Sequence, residues 1–145
     1  MARAPEVCGV LEAAVYVTDL DAAQAFYEGL LGLEVIVRVE GRHAFFRAGP
    51  DSESVVLCFI AEATRVPPPP GARLPVPPHG AEGQGHVALA VASEHLAGWA
   101  DYLKENNVEI EADFLWPTGR RSIYLRDPAG NSVELADRGL WRGEA

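Results

Sequence analysis

Positive charge is scarce in this chain. There are 12 Lys and Arg residues against 21 Asp and Glu, for a formal net charge of −9. A phosphate backbone needs a basic surface, which counts against nucleic acid as a partner but not against a local cationic pocket for a small anion. Cysteine is nearly absent. Cys8 and Cys58 are the only two, far apart in sequence, and read as reduced thiols of a cytosolic protein rather than a disulfide. No stretch approaches the roughly 20 apolar residues that span a bilayer, and the opening MARAPEVCGV lacks the apolar core of a leader peptide. These absences point to a cytoplasmic protein with no membrane partner.

What the chain has is a repeat. Residues 12–34 read EAAVYVTDLDAAQAFYEGLLGLE and residues 86–109 read HVALAVASEHLAGWADYLKENNVE, offset by about 75 positions. Each copy opens on a short apolar run, passes into helical periodicity and ends in a turn and a second strand. In the first copy, Val10–Val17 reads as a strand and Asp19 as an N-cap. Leu20, Ala23, Phe26, Tyr27 and Leu30 fall at helical spacing before Gly32. Leu33–Glu40, His43–Arg47 and VVLCFI (55–60) follow as strands around turns at Gly41-Arg42 and Gly49–Ser54. In the second copy, His86–Val91 is a strand and Ser93 caps a helix bearing Leu96, Trp99 and Leu103. Val108–Ala112, Ser122–Arg126 and Ser132–Ala136 are strands, the last two joined by the turn DPAGN. Phe26, Trp99 and Tyr102 read as core.

Between the copies runs VPPPPGARLPVPPHGAEGQG, with 7 of the chain's 11 prolines at 67–70, 75, 77 and 78. Such a segment joins neither a helix nor a sheet interior. It is a semi-rigid connector, either a plain linker or a lid over a cavity. The expected organisation is one domain over 1–145: module one at about 10–60, connector 61–85, module two 86–137 and a C-terminal tail 138–145.

The segments VYVTDLDAAQAFYEGLLGLEV, GHVALAV and SIYLRDPAGNSVEL resemble the vicinal oxygen chelate superfamily. That superfamily holds glyoxalase I, extradiol dioxygenases, fosfomycin-resistance enzymes, methylmalonyl-CoA epimerase and bleomycin-resistance proteins. The resemblance covers roughly residues 10–137, and the ending from Tyr124 to Leu135 carries most of its specificity. It implies an α+β fold in which two βαβββ modules form a curled, cup-shaped mixed sheet, commonly in a homodimer. The pairing of modules makes Glu12 and His86, each opening a strand, candidates to face one another.

In metal-binding members the ligands come from the first strand of each module and the last strand of the second, with a fourth in some. Carried over, these positions are Glu12, His86, Glu134 and Leu57. Leu57 cannot ligate, and Glu12 stands where His is more usual. One imidazole with two carboxylates suits a divalent ion, with Mn or Mg favoured over softer choices such as Zn, Ni or Fe. The two-His set of non-haem iron enzymes is missing, which counts against a ring-cleaving dioxygenase. Glu12 is alternatively a general base rather than a ligand. A metal-free outcome is also open, with the histidine simply hydrogen-bonded and the carboxylates paired to arginines. Arg120, Arg121 and Ser122 resemble the GRSIYF stretch of fosfomycin-modifying members, where an arginine grips an anion. Arg121 and Tyr124 therefore join Glu12 as candidate catalytic residues. Trp116 is placed at a pocket mouth, His43 on a middle strand without an assigned role, and His79 and His95 at the surface. Two functions follow: a metal-dependent lyase, isomerase or epoxide-opening transferase acting on a small substrate with adjacent oxygens, or a metal-free protein that sequesters a drug in an apolar groove.

Overall fold

The computed structural model describes residues 3–142; the last three residues of the expected C-terminal tail lie outside them. The fold is α+β. Strands β1 (Glu12–Val17), β2 (Glu34–Val39), β3 (His43–Arg47) and β4 (Val55–Ile60) form one sheet in the order β1-β4-β3-β2. Strands β5 (His86–Val91), β6 (Ala112–Leu115), β7 (Arg121–Arg126) and β8 (Ser132–Asp137) form a second in the order β5-β8-β7-β6. In each, the first strand runs parallel to the last and the rest are antiparallel. The register repeats too: Ala14 lies opposite Leu57 and Ala88 opposite Glu134. The repeat seen in sequence is thus a repeat of βαβββ topology.

Alternation decides which face each sheet buries. Val15 and Val17 of β1, and Val87, Leu89 and Val91 of β5, point into the core, while Glu12, Ala14, Tyr16, His86, Ala88 and Ala90 take the other face. Helix α1 (Leu20–Gln24) packs on β3 and β4, and α3 (Leu96–Glu105) on β7 and β8. One hydrophobic cluster draws on both sheets and both helices. Asp19 caps α1, accepting from the backbone N–H of Asp21 and Ala22. Beyond Gln24 the helix widens into a π-helical segment, Ala25–Leu30, and Gly32 closes it at φ 75°, a conformation that suits glycine.

Three local expectations change. The second strand of module two is Ala112–Leu115 rather than Val108–Ala112. Val108 and Ile110 pack against the core as irregular chain, so their apolar character serves burial without strand pairing. Ser93 does not cap α3. It lies in a 3₁₀ turn, Ser93–His95, and its hydroxyl donates to Asp137 Oδ2 at 2.7 Å. Tyr102 is exposed rather than core, its phenol donating to Leu30 O at 2.6 Å.

The connector contains a short helix α2 (Ala61–Thr64) and then no strand before β5. It folds back over the outer face of sheet one rather than running away from it. Leu57 and Phe59, on that face, are buried and line the space under it, and their counterparts on β8, Glu134 and Ala136, are buried as well.

Candidate active site

His86 opens β5 and Glu134 lies one strand over on β8. The parallel register sets Glu134 opposite Ala88, two residues on from His86 and on the same face. His86 Nε2 lies 3.3 Å from Glu134 Oε1. The other ring nitrogen, Nδ1, is 3.1 Å from Ser132 O. Ser132 Oγ lies 3.2 Å from the same nitrogen, and with its proton on Nδ1 the ring donates to the carbonyl, which only accepts. In the neutral imidazole, Nε2 is then a lone pair aimed at a carboxylate oxygen.

Glu134 is buried, and its second oxygen accepts from Ser122 Oγ at 2.7 Å. Ser122 in turn accepts from Trp116 Nε1 at 2.8 Å. Trp116, expected at a pocket mouth, thus serves this network from the loop before β7. Tyr124 stacks between His86, at a centroid distance of 6.1 Å, and Phe114, at 5.8 Å. Burial, and then the Glu134 carboxylate, hold the Tyr124 phenol above its usual range, so it keeps its proton. A hollow of about 210 Å³ opens beside Phe114, Tyr124, Arg126 and Ser132.

Glu12 and Arg121 stand elsewhere. Glu12 is exposed and lines a different cavity, under the connector, together with Leu57. Among the described residues no three His, Cys, Asp or Glu side chains gather around one point. Arg121 alternates with Ser122 along β7 and so faces away from Glu134. It makes a bidentate pair with Asp113, at 2.8 and 2.7 Å, across the β6–β7 ladder. Arg120 pairs with Asp137 and Arg126 with Glu111. The structure thus brings together His86, Glu134 and Tyr124 of the candidate residues, and adds Ser122 and Trp116. Indole and hydroxyl are ordinary core groups in a sequence, so only the strand register marks them out.

His86 and Glu134 supply two donors of the kinds that divalent cations take. Two lone-pair atoms facing each other at 3.3 Å would repel unless a proton or a metal ion lies between them. The hydrogen bonds on the far side of each ligand are those that orient metal ligands elsewhere.

His79, expected at the surface, is half-buried and bonded through Nδ1 to Tyr16 Oη at 2.7 Å. His43 stacks on Phe45 at 4.1 Å and takes a hydrogen bond at Nδ1 from Arg42 Nη1 at 2.8 Å. Burial, and then the Arg42 charge, keep His43 below the usual imidazole range. His95 is exposed, as expected.

The sequence profile of the Glyoxalase/Bleomycin resistance protein/Dioxygenase superfamily matches residues 9–135. The chain belongs to that superfamily. Among solved structures it is similar to a lactoylglutathione lyase from Agrobacterium tumefaciens, with 34% identity and a TM-score of 0.86 over 96% of this chain and 100% of that one. A glyoxalase/dioxygenase from Nostoc punctiforme matches at 23% identity and TM-score 0.66, over 94% and 96% of the two chains. A mutant of the fosfomycin resistance protein FosX from Listeria monocytogenes, in complex with Mn(II) and dihydroxypropylphosphonic acid, matches at 20% identity and TM-score 0.64, over 93% and 94%. The last two likenesses concern the fold alone. A search of curated protein sequences returns no match.

Proposed function

We propose that this member of the superfamily is a divalent-metal-dependent lyase or isomerase acting on a small substrate with adjacent oxygens. It works in the cytoplasm as a homodimer of single-domain chains. The observation that carries the reading is the facing pair His86 Nε2 and Glu134 Oε1, each oriented from behind. Similarity to a lactoylglutathione lyase at 34% identity supports the reaction class. His86 and Glu134 would hold the ion from one chain. Glu12, which the fold keeps out of their reach within the chain, would complete the set as Glu12 of the partner subunit, and two carboxylates with one imidazole favour Mn or Mg. When bound, such an ion polarises the adjacent oxygens of a substrate and stabilises negative charge developing there.

The chain's own residues do the rest. Ser132 O and Oγ hold the His86 ring at Nδ1, and Ser122 Oγ holds Glu134 from behind. Tyr124 Oη keeps its proton beside them as a hydrogen-bond donor for a substrate oxygen. Arg121 takes no part, since both of its bidentate contacts go to Asp113.

Calorimetric titration of the purified protein with Mn²⁺ tests this reading. Binding that disappears in His86→Ala without loss of the folded state supports it. No heat and no melting shift at millimolar metal would overturn it. The second reading, sequestration of a ligand without turnover, draws on the large apolar cavity under the connector. It gains ground if the metal titration is silent.

A further inference from the structure

The cavity between sheet one and the connector measures about 1080 Å³, the upper range for small-molecule sites. Its floor is the outer face of β1, β3 and β4, and its roof is the proline strap. The strap is tied at its far end. Tyr16 Oη and His79 Nδ1 are 2.7 Å apart, the His79 backbone N–H donates to Thr64 O at 3.0 Å, and the His79 ring meets Phe59 edge-on at 4.6 Å. Proline stiffness keeps the span between these ties open. Val66, Leu74 and Val76 line the space, yet remain 67%, 73% and 53% exposed. Apolar surface held open to water in a concave site calls for an apolar occupant.

Charge at the two ends gives the occupant its polarity. Arg42 lies in the β2–β3 turn with its guanidinium 5.9 Å from the Phe59 ring centroid. Its one side-chain hydrogen bond goes to His43, and among the described residues it makes no ion pair, whereas Arg38, Arg47, Arg65, Arg120, Arg121 and Arg126 all do. Most of its five donors are therefore open. Glu12 marks the opposite end. It lies level with Val55 of β4, while His43 lies level with Phe59. At about 3.3 Å per residue, that separates Arg42 from Glu12 by roughly 15 Å along the sheet.

From this arrangement we infer that the strap cavity binds an elongated aromatic anion, its ring between Phe45, Phe59 and the strap prolines and its acid group on Arg42. The chain's net charge of −9 gives no general attraction for anions, so the grip is local. The inference deepens the proposed function by naming the substrate class. It rests on that reading only in placing the reacting oxygens at the Glu12 end. The anion grip itself needs no metal, and it serves sequestration equally well.

The test uses the full chain stripped with EDTA. Its probes are 8-anilinonaphthalene-1-sulfonate, an aromatic anion, and N-phenyl-1-naphthylamine, its uncharged counterpart. Calorimetry and fluorescence should give one saturable sulfonate site per chain. Arg42→Gln should weaken the sulfonate about tenfold or more, as loss of a charge-assisted hydrogen bond does, and leave the neutral probe within about twofold. Arg42→Lys should restore most of the sulfonate affinity. Tyr16→Phe, which unties the strap, should weaken both probes alike. The inference is overturned if sulfonate binding does not saturate, or if Arg42→Gln changes both probes equally or neither. A silent Mn²⁺ titration alongside a positive sulfonate result removes the metal reading and leaves the anion site standing.

Discussion

The phenol of Tyr27, on the helix of module one, donates to Asp127 Oδ2 at 2.8 Å in the last turn of module two, 100 residues away. Both residues are buried. Asp127 also accepts from the backbone N–H of Ala129 and Asn131 and from Asn131 Nδ2. Asn131 reaches Tyr16 O and takes the Gly85 N–H. The DPAGN turn is therefore a clip between the two modules as well as a turn. Burial first, then the neighbouring Cys58 and Asp127, push the Tyr27 phenol far up, so it remains a donor at any ordinary pH. Tyr27→Phe removes one of four hydrogen bonds to a buried carboxyl group and should cost about 2 kcal/mol. Asn131→Ala removes three hydrogen bonds and should cost more. Urea unfolding at pH 7 measures both, and a Tyr27→Phe loss under about 0.5 kcal/mol would reduce the clip to packing.

Ser122 touches Glu134, and Glu134 faces His86. If the pair holds a metal ion, Ser122→Ala should lower affinity for Mn²⁺ about tenfold, the usual cost of losing a group that orients a ligand. Titration calorimetry on the folded variant gives the value, and unchanged affinity would detach Ser122 from the site.

Glu12 and His86 are proposed to meet only between chains. Light scattering should then show twice the 15.6 kDa chain mass. Glu12→Ala and His86→Ala proteins should each fail to bind Mn²⁺ tightly. When unfolded together and refolded, they should regain about a quarter of the sites, because each mixed dimer carries one intact set. No recovery in mixed dimers would place Glu12 outside the metal site.

Asp137 sets an acid limit. The Gly139 backbone N–H lowers its pKa against the effect of burial, with help from Ser93 and Arg120. A carboxyl held low in the folded state stabilises above the unfolded value near 4, and that stability is lost as pH falls through the folded value. Asp137→Asn should melt lower than the parent at pH 7, and the two melting temperatures should converge as pH drops from about 5 to 3. Parallel curves would show that another group governs acid unfolding.

Much of this protein is legible in its residues. The alternation of Val15 and Val17 with Glu12, Ala14 and Tyr16, repeated from His86 to Val91, selects the strand faces because side chains in a strand alternate strictly. Asp19, Gly32 and DPAGN mark boundaries through local backbone chemistry, which neighbours in sequence suffice to set. Val108 and Ile110 were not separable from a strand, since burial and pairing demand the same apolar residues. The pairing of His86 with Glu134 rests on register, and register is a relation between distant strands. So does the pairing of Arg121 with Asp113, which a stretch of neighbouring arginines cannot reveal. The proline segment is stiff on its own account. Only tertiary structure decides that it folds back over Phe59, because the ties of His79 to Tyr16 and Thr64 join residues that sequence keeps apart.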